Sequence, residues 1–161
     1  MSPKEWGPPT WNFFHCLAEN IKEEQFPHIG LSCFNMIKMI CKTLPCPDCS
    51  NHATQILSTI KFQHIKNKEN FINLIYMFHN IVNKKKQKQL FNVLELQKYK
   101  NKNLIKAYND FIKVYQTKGN MKLLADSFAR SNTTKVLKNY LMNNINNFHI
   151  YKEQLSCITT N

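Results

Sequence analysis

Apolar residues recur every three or four positions along most of the chain, which is the spacing of one face of an α-helix. The first such stretch is Thr10–Ile21. Pro8 and Pro9 come directly before it, and proline is favoured at the first position of a helix. The pattern therefore predicts a first helix that begins at these prolines.

Three more helices follow from the same spacing. Pro27 and Gly30 predict a break, after which Ser32 caps a second helix. Pro45 ends that helix, because the residue before a proline avoids helical backbone angles. Pro47 suits the first position of a third helix. After a polar stretch, a fourth helix carries apolar residues from 71 to 82.

Four amphipathic helices joined by short links predict a four-helix bundle. Beyond residue 100 the pattern remains helical. Gly119 predicts a break, and two further helices follow, one from Leu123 and one around Val136. We therefore expect an all-α protein, with a four-helix bundle at residues 1–100 and additional C-terminal helices in an extension at residues 101–161.

The composition agrees with a helical protein. Only 3 Gly and 6 Pro interrupt the 161 residues, and 43% of the residues are hydrophobic, which is enough for a core. No apolar run has the length that a membrane-spanning helix needs. The first residues, MSPKEWGPPTW, lack the features of a secretory signal. We expect a cytosolic chain without a membrane span.

The formal net charge is +12, a balance found in proteins that meet nucleic acid, acidic membranes or acidic partners. The densest basic run is Lys84-Lys85-Lys86-Gln87-Lys88. It suits either a solvated helix end or a phosphate-binding segment. A basic helical protein that binds nucleic acid and keeps a structural CxxC is therefore an alternative, although the features below make nucleic acid an unlikely partner.

The strongest chemical motif is Cys46-Pro-Asp-Cys49 at the predicted start of the third helix. The helix dipole and free backbone amides there stabilise a thiolate. Two such cysteines close a small disulfide that exchanges readily. The alternatives are two buried thiols or a zinc half-site with His52 as a third ligand. The sequence has no second CxxC and no HxxxH, so we expect no metal.

A redox dithiol on a helical scaffold needs an electron acceptor, and two clusters are candidates to hold one. In the first, which follows Gly7, Trp11 and His15 share a helix face and suit a planar ligand. The alternative interpretation is a core tryptophan beside a surface histidine.

The second cluster is His79-Asn80-Ile81-Val82-Asn83-Lys84, with Lys88 beyond it. Its polar residues are spaced four apart and predict one polar helix face, which offers stacking, amide hydrogen bonds and positive charge. Those groups suit a nucleotide with a pyrophosphate. The alternative is an ordinary solvent-facing surface.

Three segments in this order resemble the Erv/ALR family of FAD-linked sulfhydryl oxidases: WGPPTW with His15, LPCPDCSNHA and FHNIVNKKKQK. The middle segment resembles the versions encoded by large cytoplasmic DNA viruses. The resemblance covers roughly residues 4–99. It implies a helical bundle that binds FAD, usually as a homodimer, and oxidises protein thiols to disulfides while reducing oxygen to hydrogen peroxide.

The resemblance also implies roles for individual residues. Cys49 passes electrons to the flavin, and substrate thiols attack Cys46. The positions that match FAD contacts are Gly7, Trp11, His15, Cys49, His52, His79, Asn80, Val82, Asn83, Lys84 and Lys88. The sequence departs from the family at Pro8, Leu44 and Leu74, where members often carry a basic residue, a tyrosine and a tryptophan.

The remaining expectations concern partners and the other cysteines. The resemblance implies substrate protein thiols, such as a thioredoxin-like carrier or virion proteins, in the cytoplasm of a host cell. Cys157 suits either a shuttle thiol or an inert one. We interpret Cys16, Cys33 and Cys41 as core thiols.

Overall fold

The structure is a computed structural model that describes residues 2–116 and 124–150. The helices are α1 Pro3–Asn20, α2 Phe26–Lys42, α3 Pro47–Ser58, α4 Lys68–Lys85, α5 Leu104–Tyr115 and α6 Leu124–Asn143. Short 3-10 segments lie at Glu23–Gln25, Phe62–His64, Val93–Tyr99 and Ile145–Asn147. The prediction of an all-α protein is confirmed.

Helix α1 begins earlier than predicted. Its first turn is closed by Ser2, whose backbone N–H donates to the Glu5 carboxylate at 2.6 Å. Pro8 and Pro9 lie inside the helix, so the prediction that they start it was wrong. Each removes one helical hydrogen bond, because proline has no N–H. The capped turn before them is enough to begin the helix.

Helix α2 is continuous across the predicted break. It begins at Phe26, and Pro27 lies in its first turn, where a missing N–H costs no helical hydrogen bond. Gly30 lies inside the helix, with the Phe26 ring packed where a side chain would stand. Ser32 is not a cap, since its hydroxyl donates to the Ile29 carbonyl at 2.8 Å. The predicted break and cap were wrong.

Helix α3 begins at Pro47 with Cys46 as its N-cap, as predicted. Helix α4 begins at Lys68, three residues before the predicted apolar stretch. The reason is Asn67, whose side-chain oxygen accepts the Asn70 backbone N–H at 2.8 Å and caps the helix.

The C-terminal helices pack onto the bundle. Helix α1 packs against α4 and α5, and α2 packs against α3 and α6. Phe111 of α5 stacks on Phe13 of α1, with ring centroids 5.1 Å apart. Buried apolar residues of all six helices form one core cluster.

Helix α6 is a single helix, where the sequence predicted two. The break predicted at Gly119 lies outside the described residues. The division of the chain near residue 100 stays a prediction. Within residues 2–116 and 124–150, no helix combines the length and the apolarity that crossing a bilayer requires.

Candidate functional site

A cavity of about 700 Å³ lies between α1, α3, α4 and the 3-10 segment Val93–Tyr99. Ligand pockets for molecules of cofactor size have volumes of about 300–1,000 Å³. We call this space the α1–α4 cavity. Most of the predicted site residues lie on its wall.

Cys46 and Cys49 form a disulfide at one edge of this cavity, with their Cα atoms 5.2 Å apart. As the N-cap of α3, Cys46 accepts the Cys49 backbone N–H on its sulfur at 3.3 Å. Cys49 belongs to the cavity wall and Cys46 does not, and both are half-buried. The disulfide therefore joins a cysteine that faces the cavity to one outside it.

His79 lies between two aromatic rings at the cavity wall. It stacks on Trp11 with centroids 4.1 Å apart and on Phe91 with centroids 5.1 Å apart. His15 is only 3% exposed, and its Nε2 lies 3.0 Å from His79 Nδ1. His15 is thus not on the wall, and it is not the surface histidine of the alternative interpretation. From its buried position His15 hydrogen-bonds to His79 and fixes the orientation of the His79 ring.

Both imidazoles are uncharged near neutral pH. Burial, followed by the His79 ring and nearby lysines, lowers the pKa of His15 to about 3. Burial, followed by Lys98 and Lys88, lowers the pKa of His79 to about 4. One ring nitrogen of the pair therefore donates its hydrogen to the other, which neutral imidazoles allow.

Asn80 is not a residue of the cavity wall, and it fixes the chain that follows α4. Its amide donates to the Phe91 carbonyl at 3.1 Å and accepts the Phe91 backbone N–H at 2.7 Å. This pair of bonds places the Phe91 ring against His79 and His15.

The predicted polar helix face does not extend to Lys88, because α4 ends at Lys85. The backbone turns at Gln87, whose φ is 53°, and the Lys88 N–H then donates to the Asn83 carbonyl at 2.9 Å. This turn brings Lys88 to the cavity wall and leaves Lys84 exposed and off it.

Positive charge dominates the wall. Five lysines contribute to it, against Glu95 as the one carboxylate of the described wall residues; the lysines are Lys4, Lys86, Lys88, Lys98 and Lys102. Lys102 donates to the Asn12 side-chain oxygen at 2.7 Å and lies over the Tyr99 ring at 4.7 Å. Lys98 and Lys102 were not predicted, since the 3-10 segment and the connection after it show no helical spacing that would have marked them.

The structure divides the predicted FAD-contacting residues into two groups. Those on the cavity wall are Gly7, Trp11, Cys49, His52, His79, Val82, Asn83 and Lys88. His15, Asn80 and Lys84 are not on it. The FAD contacts themselves stay predictions. Of the departures from the family pattern, Pro8 and Leu44 line the cavity, whereas Leu74 packs on the core.

The wall suits a flat ligand with a pyrophosphate. A Cβ atom added at Gly7 would have no heavy atom within 4 Å, so the cavity is open there. Trp6 keeps a buried indole N–H that has no hydrogen-bond partner among the described residues. Aromatic rings for stacking and lysines for phosphate complete the set. These features fit FAD.

The other cysteines differ from the redox pair. Cys16, Cys33 and Cys41 are free and buried, which confirms them as core thiols. Burial raises the pKa of the Cys16 thiol to about 11 and that of Cys33 to about 12. Cys157 lies outside the described residues. Within 2–116 and 124–150, no three His, Cys, Asp or Glu side chains gather as a metal site.

A helical bundle with a disulfide at the edge of a cofactor-sized cavity defines a class of dithiol redox proteins. The family model described as Erv1 / Alr family matches residues 8–104, more than half of the chain. The chain belongs to the Erv1/Alr family, which confirms the resemblance.

Two viral relatives are similar over this region. The Invertebrate iridescent virus 6 protein named "Putative FAD-linked sulfhydryl oxidase 347L" is 30% identical to this chain over 89 residues. The match covers 52% of this chain and 80% of the viral protein. The Fowlpox virus (strain NVSL) protein named "Probable FAD-linked sulfhydryl oxidase FPV093" is 31% identical to this chain over 78 residues. The match covers 48% of this chain and 73% of the viral protein. No solved structure matches the chain at a significant level.

Proposed function

We propose that this chain is a FAD-dependent thiol oxidase that forms disulfide bonds in substrate proteins and reduces oxygen to hydrogen peroxide. The observation that carries the proposal is the Cys46–Cys49 disulfide at the edge of the α1–α4 cavity, with only Cys49 on the cavity wall. Membership of the Erv1/Alr family and the names of both viral relatives support it.

The reaction begins outside the cavity. A substrate thiolate attacks the Cys46 sulfur, the Cys46–Cys49 bond breaks, and Cys49 leaves as a thiolate. Cys49 lies in the first turn of α3, where the helix dipole stabilises that negative charge. A second substrate thiolate then attacks the substrate sulfur of the mixed disulfide. The substrate leaves as a disulfide, and Cys46 and Cys49 remain reduced.

When bound, FAD would supply the acceptor for the electron pair of the dithiol and its route to oxygen. Trp11, which is held on one face by the stacked His79 ring, would line the space for its rings, and the wall lysines would neutralise its phosphates. His15 and Asn80 act one layer further out, since they hold His79 and Phe91 in place. The uncharged state of His79 adds no further positive charge to the ring stack.

The family resemblance supports three finer proposals. The enzyme acts as a homodimer, its substrates are thiols of virion proteins or of a thioredoxin-like carrier, and it works in the cytoplasm of a host cell. The viral origin of both relatives supports the last of these. The nucleic-acid alternative is not favoured, and Lys86 and Lys88 of the basic run lie on the cavity wall instead.

The decisive experiment follows the flavin spectrum of the purified protein. We expect a yellow protein whose flavin band bleaches when a dithiol is added without oxygen and returns when oxygen is admitted. Cys49→Ser keeps the bound flavin but loses bleaching, and Asp48→Asn, which changes the same turn of α3 without removing a sulfur, keeps both. A Cys49→Ser protein with full turnover overturns the proposal.

A further inference from the structure

A group of hydroxyls joins the C-terminal helices to the end of α2, close to the redox disulfide. The Thr43 and Tyr115 hydroxyls are hydrogen-bonded to each other. Thr133 Oγ1 of α6 lies 3.4 Å from Thr43 Oγ1. We call these three residues the hydroxyl cluster. It unites α2, α5 and α6 at one point, and both Tyr115 and Thr133 are buried.

Thr43 is the position where the chain leaves α2 for the redox motif. It is the C-cap of α2, and three residues later Cys46 caps α3. Its hydroxyl lies 3.2 Å from the Met39 carbonyl in the last turn of α2. On the other side, the Ser50 hydroxyl of α3 donates to the Lys42 carbonyl at 2.8 Å. The stretch between Lys42 and Ser50 is therefore anchored at its first residue by Thr43 and bridged across its ends by the Ser50 hydroxyl.

Tyr115 and Thr133 lie outside residues 8–104, the part that the family model matches. We propose that they are positioning residues for the redox disulfide, which they hold through Thr43. A fixed Thr43 limits the positions that Leu44, Pro45 and Cys46 reach, and so keeps Cys49 on the cavity wall and Cys46 outside it. The inference rests on the proposed thiol oxidase function and gives the C-terminal helices a part in it.

The test compares Tyr115→Phe with Tyr108→Phe. Both replace a buried tyrosine of α5 and keep the ring in the core, but only Tyr115 bonds to Thr43. Thr43→Val and Thr43→Ser form a second pair, since the serine restores the hydroxyl. Two measurements are made on the full chain: amide hydrogen exchange in the peptide 43–50, and the rate at which a dithiol reduces the bound flavin without oxygen.

We expect Tyr115→Phe and Thr43→Val to speed exchange in that peptide and to slow flavin reduction by about fivefold, the equivalent of one neutral hydrogen bond. Tyr108→Phe and Thr43→Ser behave like the wild type, and the affinity for FAD is the same in all. The inference is overturned if Tyr115→Phe matches Tyr108→Phe, or if exchange changes while the reduction rate does not. A wild type that no dithiol reduces rejects the proposed function instead, and the exchange data still decide whether the cluster holds the segment.

Discussion

His79 of α4 lies face to face with Trp11 of α1, with ring centroids 4.1 Å apart and planes 10° from parallel. The same imidazole is held by His15 at 3.0 Å, and His15 in turn stacks on Tyr99. The stack thus links α1, α4 and the 3-10 segment along one side of the cavity. Burial in this stack lowers the pKa of both histidines and keeps them uncharged near neutral pH.

The uncharged pair predicts a loss of stability in mild acid. Above the ordinary histidine pKa of about 6.5, the folded and unfolded chains bind equal numbers of protons at these sites. Below it, the unfolded chain binds a proton at each histidine. The folded chain does not bind them until the pH reaches the pKa of His79, about 4, and that of His15, about 3. The free energy of unfolding therefore falls as pH falls from 6.5, and urea titrations from pH 7 to 5 measure it.

A histidine substitution isolates this effect. His15→Gln removes about one of the protons taken up on unfolding, so the slope of the unfolding free energy against pH becomes shallower. His28→Gln serves as the control, because His28 is exposed. Equal slopes for both variants would contradict the assignment of the acid sensitivity to the stack.

Two lysines four residues apart should differ in their effect on FAD affinity. Lys88 lies on the cavity wall, whereas Lys84 is exposed and off it. We expect Lys88→Gln to weaken FAD binding by about tenfold, the loss of one charge-assisted hydrogen bond to a phosphate. Lys84→Gln leaves the affinity unchanged. Titration of the apoprotein with FAD measures both, and a larger effect of Lys84→Gln would contradict the role of Lys88 as the phosphate contact.

Substitution of Gly7 by alanine should stabilise the apoprotein and weaken FAD binding. It lies within α1 and faces the open cavity, so an added methyl group meets no protein atom. Gly7→Ala raises the unfolding free energy of the apoprotein by about 0.5–1 kcal/mol, since alanine favours a helix. It also narrows the cavity and lowers the affinity for FAD. Thermal unfolding of the apoprotein and FAD titration check the two effects separately.

Substitution of Gly30 by alanine should lower the unfolding free energy of the apoprotein, the opposite of the effect at Gly7. A Cβ atom there would stand 2.7 Å from the ring of Phe26, which is buried against Phe62 and Phe71. Such overpacking costs about 1–3 kcal/mol, more than the helical preference of alanine returns. Gly30→Ala therefore melts at a lower temperature than the wild type. A higher melting temperature would mean that the Phe26 ring moves freely.

The sequence predicted α3 correctly because its start depends on local chemistry. Cys46 and Pro47 suit the cap and first position of a helix whatever surrounds them. Proline elsewhere was ambiguous: Pro27 marks a first turn, whereas Pro8 and Pro9 lie inside a helix that Ser2 had already begun. The same residue type was interpreted as a start or a break without the capping contacts that decide the matter.

The site was predictable where its residues lie on regular helices. Trp11, Cys49 and His79 were found from spacing and from the family pattern, and all lie on the cavity wall. Lys98 and Lys102 were not found, because the 3-10 segment and the connection after it reach the cavity through tertiary packing alone. The turn at Gln87, which brings Lys88 to the cavity wall, likewise depends on a backbone bond to Asn83 that no periodicity shows.

The two hydrogen bonds between Asn80 and Phe91 also bear on how this region tolerates insertions. They tie the end of the connection to helix α4, from whose last residue it starts, and its residues 86–90 are all exposed. Lengthening a loop between fixed ends is inexpensive, at about 0.6 kcal/mol for each doubling. Extra residues beside Gln89 would therefore bulge into solvent and leave Phe91 against His79. This stretch is where length variation among homologues, or an inserted reporter tag, is best accommodated.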